Sequence, residues 1–256
     1  MLRIIDARTG EPVDAALARR GLVRVHAHPP GFDLTGLRVL LVADVLVRAL
    51  EFGGNPAWAT LSSAPAPAEA GDRTDPEGGE DSWCEAGLRD RAAELGIRPF
   101  EDHRDTDPGP AATRTLEVVA QGAAVTDGPR IEVAPVGAGH RSAPADPTAL
   151  RFALLARPRE LPLSLDAEVL AEAEGTLGRW RSAVADWARR PSKPVPEDVR
   201  LRLRAAWEDD LDVPAVLDVL RSVETSALPE GARFETYAYA DRLLGLELTR
   251  EIGASL

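Results

Sequence analysis

The amino-acid sequence predicts an α/β fold in two parts: a parallel sheet with its crossover helices over residues 1–145, then an antiparallel helical bundle over 146–256. Three observations lead there. The β-branched run around Val23 and Val25 is followed, after a Pro-Gly break, by a long apolar segment and then a second short one, the outline of a strand–helix–strand unit. From Pro147 onward, apolar residues recur at helical spacing through segment after segment. The connections between those later segments are short and contain Pro or Gly, which suits neighbouring antiparallel helices.

Taken in order, Leu2, Ile4 and Ile5 open a short strand, and Thr9-Gly10-Glu11-Pro12 forms a turn. Leu22, Val23 and Val25 form the next strand, which His28-Pro29-Pro30-Gly31 breaks. Thr35 to Leu50 reads as a helix buried on most sides and packed on a sheet, with a strand followed by a helix as the alternative that its β-branched content allows. Gly53-Gly54-Asn55-Pro56 stops it, and Ala57 to Leu61 is the following strand. The stretch of about 62–82 carries three prolines, a glycine pair and six acids against Arg73, without apolar periodicity, and is expected to be a mobile acidic loop. Trp83 to Leu95 is helical, with Leu88, Ala92 and Leu95 on one side, and Asp102 to Ala112 is a loop. Thr113 to Ala120 reads as helical. Ala123 to Val125 and Arg130 to Val136 read as a hairpin around Asp127-Gly128. The bundle comprises Thr148–Ala156, Asp166–Arg189, Pro196–Trp207, Val213–Ser226 and Phe234–Leu244.

Charge and composition narrow the function. The 42 acidic residues exceed the 30 Lys and Arg, for a formal net charge of -12, which argues against broad binding to a nucleic-acid backbone. The single cysteine, Cys84, excludes a disulfide framework and a multi-thiolate zinc site. Lys193 is the only lysine. Val39 to Val47 is interrupted by Asp44 and too short to span a bilayer, and the N-terminal residues lack an apolar signal-peptide centre, so a cytoplasmic protein without membrane contact is expected.

Several blocks in the same order resemble the cysteinyl-tRNA synthetases and the related cysteine ligases of mycothiol synthesis. LTGLRVLLVADVLVRALEFGG is similar to the family stretch that runs from the HIGH signature into its first long helix, with Arg38, Asp44-Val45-Leu46, Arg48, Leu50 and Gly53 on matching positions. The block from Asp146 to Arg179 resembles the start of the family's bundle, Asp209-Asp210-Leu211 with Pro214 and Leu217 its DDLNTP segment, and Leu243-Leu244-Gly245-Leu246 its closing LLGL. The resemblance implies a truncated Rossmann-like nucleotidyl-transferase domain ahead of a helical bundle, with ATP as the ligand. On that alignment the HIGH positions read Asp33-Leu34-Thr35-Gly36, and a carboxylate replaces one histidine. The lysine loop is represented only by the segment around His140 and Arg141. The implied nucleotide-contacting residues are therefore Asp33, Thr35, Gly36, Arg38, His140 and Arg141, with no catalytic and no metal-ligating residue assigned. The family's zinc needs two thiolates that this sequence lacks.

The expected protein is a shortened, degenerate relative without adenylation, acting as a binding or regulatory module for a protein partner or a nucleotide-like small molecule. The alternatives are an active ATP-dependent ligase and a tRNA-binding accessory protein. The acidic balance disfavours tRNA. His26 and His28 sit two apart before Pro29-Pro30; on a strand they would share a face and could ligate a metal, but no third ligand follows at a short spacing, so they read as a pair of partly exposed loop histidines. Asp212 reads as a helix cap, Trp180 and Trp187 as a buried stripe, Arg200, Arg202 and Arg204 as a solvated face, and Cys84 as a buried or bystander thiol.

Overall fold

The computed structural model describes residues 1–16, 21–62, 84–102, 114–123, 128–138 and 146–254. The expected acidic loop, apart from Ser62, lies outside these residues, as do His140 and Arg141.

The chain opens with an antiparallel hairpin, β1 (Arg3–Asp6) and β2 (Glu11–Asp14), so the Glu11-Pro12 part of the expected turn is strand. Asp6 accepts hydrogen bonds from the Arg8 and Arg130 amides, which ties the hairpin turn to the main sheet. That sheet contains β3 (Val23–His28), β4 (Ala57–Leu61), β5 (Glu101–Asp102), β6 (Arg114–Ala120) and β7 (Arg130–Val133) in the order β5-β4-β3-β6-β7, all parallel. Two of its members correct the sequence reading. The segment read as helical, Thr113 to Ala120, is β6. Leu116 to Ala120 is buried at every position, as in an inner parallel strand, and a short continuous apolar run has the same signature in either structure. The first arm of the expected hairpin lies, apart from Ala123, outside the described residues; its second arm contains β7, which pairs parallel to β6, with Gly122 and Gly128 at positive φ between them. Residues 124–127 lie outside the described structure.

Helix α1 (Leu34–Phe52) crosses from β3 to β4 and is buried along most of its length, because it packs on the sheet with one side and on later helices with the other. Gly53 and Gly54, the latter at positive φ, end it. Helix α2 (Glu85–Glu94) packs against α1. A small parallel pair, β8 (Val136–Ala138) and β9 (Leu163–Leu165), brackets α3 (Pro147–Leu155). Then follow α4 (Ala167–Trp187), α5 (Glu197–Glu208), α6 (Val213–Glu224) and α7 (Glu230–Leu244), which starts four residues before the expected Phe234. The architecture is thus the predicted parallel α/β sheet followed by a helical bundle, with seven helices among the described residues. Trp180 and Trp187 are buried edge-on against Tyr237, as the stripe predicts.

Packing is continuous across residue 146, where Asp146 caps α3. The main polar connection is Asp44, in the middle of α1. Its carboxylate accepts from Arg48 Nε and Arg151 Nη2, both at 2.9 Å, and from Arg98 Nε at 3.0 Å. Arg151 also donates to the carbonyls of Leu244 and Leu95. Burial would raise the Asp44 pKa, but the charges of Arg151 and Arg48, with hydrogen bonds from Arg151 and Arg98, hold it below its ordinary value. Gly245 lies against this cluster at φ 62, and a Cβ there would come within 2.9 Å of Arg151 Nη2.

Candidate functional site

The strand order reverses between β3 and β6: β4 and β5 extend the sheet to one side, β6 and β7 to the other. In open parallel sheets such a switch point leaves a crevice beyond the carboxyl ends of the two strands, where ligands bind. Along β3 the side chains alternate. Val23, Val25 and Ala27 are fully buried in the apolar core, while Arg24, His26 and His28 project from the opposite face.

The parallel register sets Glu117 of β6 directly beside His26. His28 Nε2 lies 2.6 Å from Glu117 Oε2, and His26 Nδ1 lies 3.5 Å from the same oxygen. The two imidazole rings are 4.1 Å apart, centroid to centroid. Ser62, just past the end of β4, places its Oγ 3.0 Å from His28 Nδ1 and donates to the Ala27 carbonyl. On the other side of β3, the register sets Thr60 beside His26. Its Oγ1 is fully buried and makes no hydrogen bond among the described residues. His26 and Glu117 are buried and His28 is partly exposed, so the group is reached from one side. Chemically, the set can hold a cation or pass a proton between imidazole and carboxylate.

Of the six residues aligned with the nucleotide-binding signature, Asp33, Thr35, Gly36 and Arg38 are described, each with contacts inside the protein. Asp33 caps α1, its Oδ1 accepting from the Gly36 amide at 2.8 Å, so the anion-attracting end of the helix already holds a carboxylate. Thr35 Oγ1 accepts from the Val136 amide. Gly36 is fixed by close packing, since a Cβ there would sit 2.2 Å from the Gly31 carbonyl oxygen. Arg38 is fully buried and donates to four carbonyls, those of Ala134, Arg157, Pro158 and Leu161. Burial pushes its pKa down to about 10, which leaves it charged at neutral pH. The structure therefore gathers Asp33, Thr35 and Gly36 at the start of α1, but turns Arg38 away from solvent into a loop of the second half.

The remaining candidates are accounted for by local structure. Asp212 caps α6 through the Ala215 amide. Asp210, at positive φ, accepts from the Ile5 amide and pairs with Arg159. Arg200 and Arg204 are paired with Glu197 and Glu208, and Arg202 donates to Ser222. Cys84 is exposed, not buried, and its Sγ caps α2 through the Gly87 amide. The one thiol is thus committed to a helix end, and the residues present do not fit a two-thiolate zinc centre. Glu117 is the member of the site that sequence reading missed. A strand assignment for the segment TLEVVA, set beside the His26–His28 strand, is the signal that would have found it.

Comparison with known proteins agrees with the sequence resemblance. No family model matches the chain. Over part of its length the chain is nevertheless similar to the mycothiol cysteine ligases, relatives of the cysteinyl-tRNA synthetases. In particular, it is 40% identical over 109 residues to the L-cysteine:1D-myo-inositol 2-amino-2-deoxy-α-D-glucopyranoside ligase of Streptosporangium roseum, covering 41% of this chain and 26% of that one. The corresponding ligase of Streptomyces griseus is also 40% identical over 109 residues, covering 40% and 25%. The matched part spans about a quarter of the length of these relatives. A solved structure described as an arginyl-tRNA synthetase of Campylobacter jejuni aligns over 93% of both chains, with a TM-score of 0.46 and 8% identity.

Proposed function

We infer that this chain is a cysteine-ligase relative that does not activate an amino acid, and that it acts as a binding or regulatory module for a nucleotide-like small molecule or a protein partner. The observation that carries the reading is the state of the α1 N-terminus. Stabilising charge on a reacting phosphate requires donors aimed at it. Here the Gly36 amide is taken by the Asp33 carboxylate, and the Arg38 guanidinium by four backbone carbonyls. A carboxylate in that place repels a phosphate. This sequence has a single lysine, Lys193, so no cluster of lysines takes over.

The test is ATP–pyrophosphate exchange with cysteine. Exchange at background level is expected, and robust protein-dependent exchange refutes the reading. A second reading, an ATP-dependent ligase acting on a small amine, is favoured by the identity to the cysteine ligases. It requires measurable ATP binding by calorimetry, and absence of binding at millimolar nucleotide removes it. Binding of tRNA is weighed down by the net charge of -12 and by the pairing of Arg200 and Arg204 with acids.

A further inference from the structure

We propose that His26, His28 and Glu117 form a three-ligand site for a divalent transition metal of the zinc class at the switch point of the sheet. The inference does not depend on whether the chain adenylates. The donor atoms of the three side chains all lie within 4.8 Å of one another. A tetrahedral metal with bonds of about 2.0–2.1 Å holds its donors about 3.3 Å apart. The His26 Nδ1 to Glu117 distance of 3.5 Å already suits this. The His28 Nε2 to Glu117 contact of 2.6 Å is a hydrogen bond that opens when a metal replaces the shared proton.

Three further features fit. His28 is held at its second nitrogen by Ser62 Oγ, the outer-shell contact that orients a metal-binding imidazole. The ligands stand on β3 and β6, neighbouring strands inside the sheet, so their spacing is fixed by backbone register rather than by a loop. The buried hydroxyl of Thr60, which makes no hydrogen bond among the described residues, stands in register beside His26, where a metal-bound water would supply its partner. Two imidazoles with one carboxylate select zinc-like ions over magnesium or calcium, and three protein ligands leave one coordination position open.

The test uses the full chain freed of metal by a chelator. Titration with Co²⁺ is expected to give visible d–d absorption that saturates at one equivalent and is displaced by Zn²⁺. Glu117→Gln and His28→Gln are each expected to weaken binding at least about tenfold, and Ser62→Ala by a comparable or smaller factor. Zn²⁺ is expected to raise the melting temperature of the native chain and not that of Glu117→Gln, which keeps the shape of the site. The double variant His103→Gln/His140→Gln removes the sequence's other two histidines and is expected to bind like the native chain. Absence of saturable absorption overturns the proposal. So does native-like Co²⁺ affinity in Glu117→Gln, or absorption that disappears in the His103→Gln/His140→Gln variant. If His28→Gln does not fold, the affinity of Glu117→Gln still decides the matter.

Discussion

Replacing Asp44 by Asn is expected to cost about 3–5 kcal/mol of stability, the penalty for breaking a buried ion pair by removing one partner. Neither Asp44 nor Arg151 has exposed side-chain surface. The substitution keeps the size of the side chain but deletes its charge, and turns an amide donor towards at least one guanidinium. Arg151 then keeps only neutral acceptors, the Leu244 and Leu95 carbonyls and at best the new amide oxygen, for a charge that remains buried. Arg48 and Arg98 lose the same partner, but their side chains are 19% and 40% exposed, so water compensates much of that loss. At about 2–4 °C per kcal/mol for a chain of this size, the melting temperature falls by roughly 6–20 °C. Urea denaturation checks this through a lower midpoint at unchanged slope. Arg98→Ala serves as the control and is expected to cost under about 1 kcal/mol. The double variant Asp44→Leu/Arg151→Met, which replaces the pair by apolar groups, is expected to be less destabilised than Asp44→Asn. A loss below about 1 kcal/mol for Asp44→Asn would refute the reasoning, because it would mean that Arg151 finds equivalent solvation without its carboxylate.

Four other outcomes are expected. Gly36→Ala forces a methyl onto the Gly31 carbonyl and should cost about 1–3 kcal/mol in thermal unfolding; a neutral result would mean that the loop before α1 moves freely. Arg38→Ala leaves four carbonyls without their donor and should destabilise by several kcal/mol at about 1–3 kcal/mol per orphaned buried group, without altering any ligand affinity. The triple change of Arg200, Arg202 and Arg204 to Ala should shift the urea midpoint little, since their pairs are exposed. For Asp146, burial would raise the pKa, but hydrogen bonds from Thr148, Arg250 and Arg181 hold it well below the usual carboxylate range. Its folded value is depressed, so its contribution is fully present above the unfolded value of about 3.9 and is lost as pH falls towards the folded one. The stability difference between the native chain and Asp146→Asn should therefore be constant above about pH 5 and shrink below about pH 4; a difference that grows on acidification contradicts the sign.

The parts of the fold that were legible are those whose signal is local. The start of α1 carries its own cap in Asp33 and its stop in Gly53-Gly54, and α4 to α6 repeat apolar residues on one face, with prolines between α4 and α5 and in the first turn of α6. Strand β6 was not legible because both of its faces are covered, which erases the alternation that separates strand from helix. That single loss hid the site. His26 and His28 could be placed on one face from their spacing, but Glu117 stands 89 positions from His28 and reaches it only through the pairing of β3 with β6. Arg38 illustrates the same limit. Its acceptors come from Ala134 and from residues 157–161, and nothing in its neighbours announces that a basic residue after a helix start is turned inward.

The Asp44–Arg151 pair also bears on synthesis. Arg151 follows Asp44 by 107 positions, and at about 5–20 residues per second a ribosome needs roughly 5–20 s to add them. Throughout that interval α1, apolar on most of its surface, gains sheet strands and α2 to pack on, and Arg48 and then Arg98 beside its central carboxylate, but lacks α7 and the buried guanidinium of Arg151. The nascent chain therefore presents a partly covered apolar helix until α7 emerges. A holdase chaperone is expected to occupy that helix during translation, and slower growth at low temperature to raise the yield of folded protein.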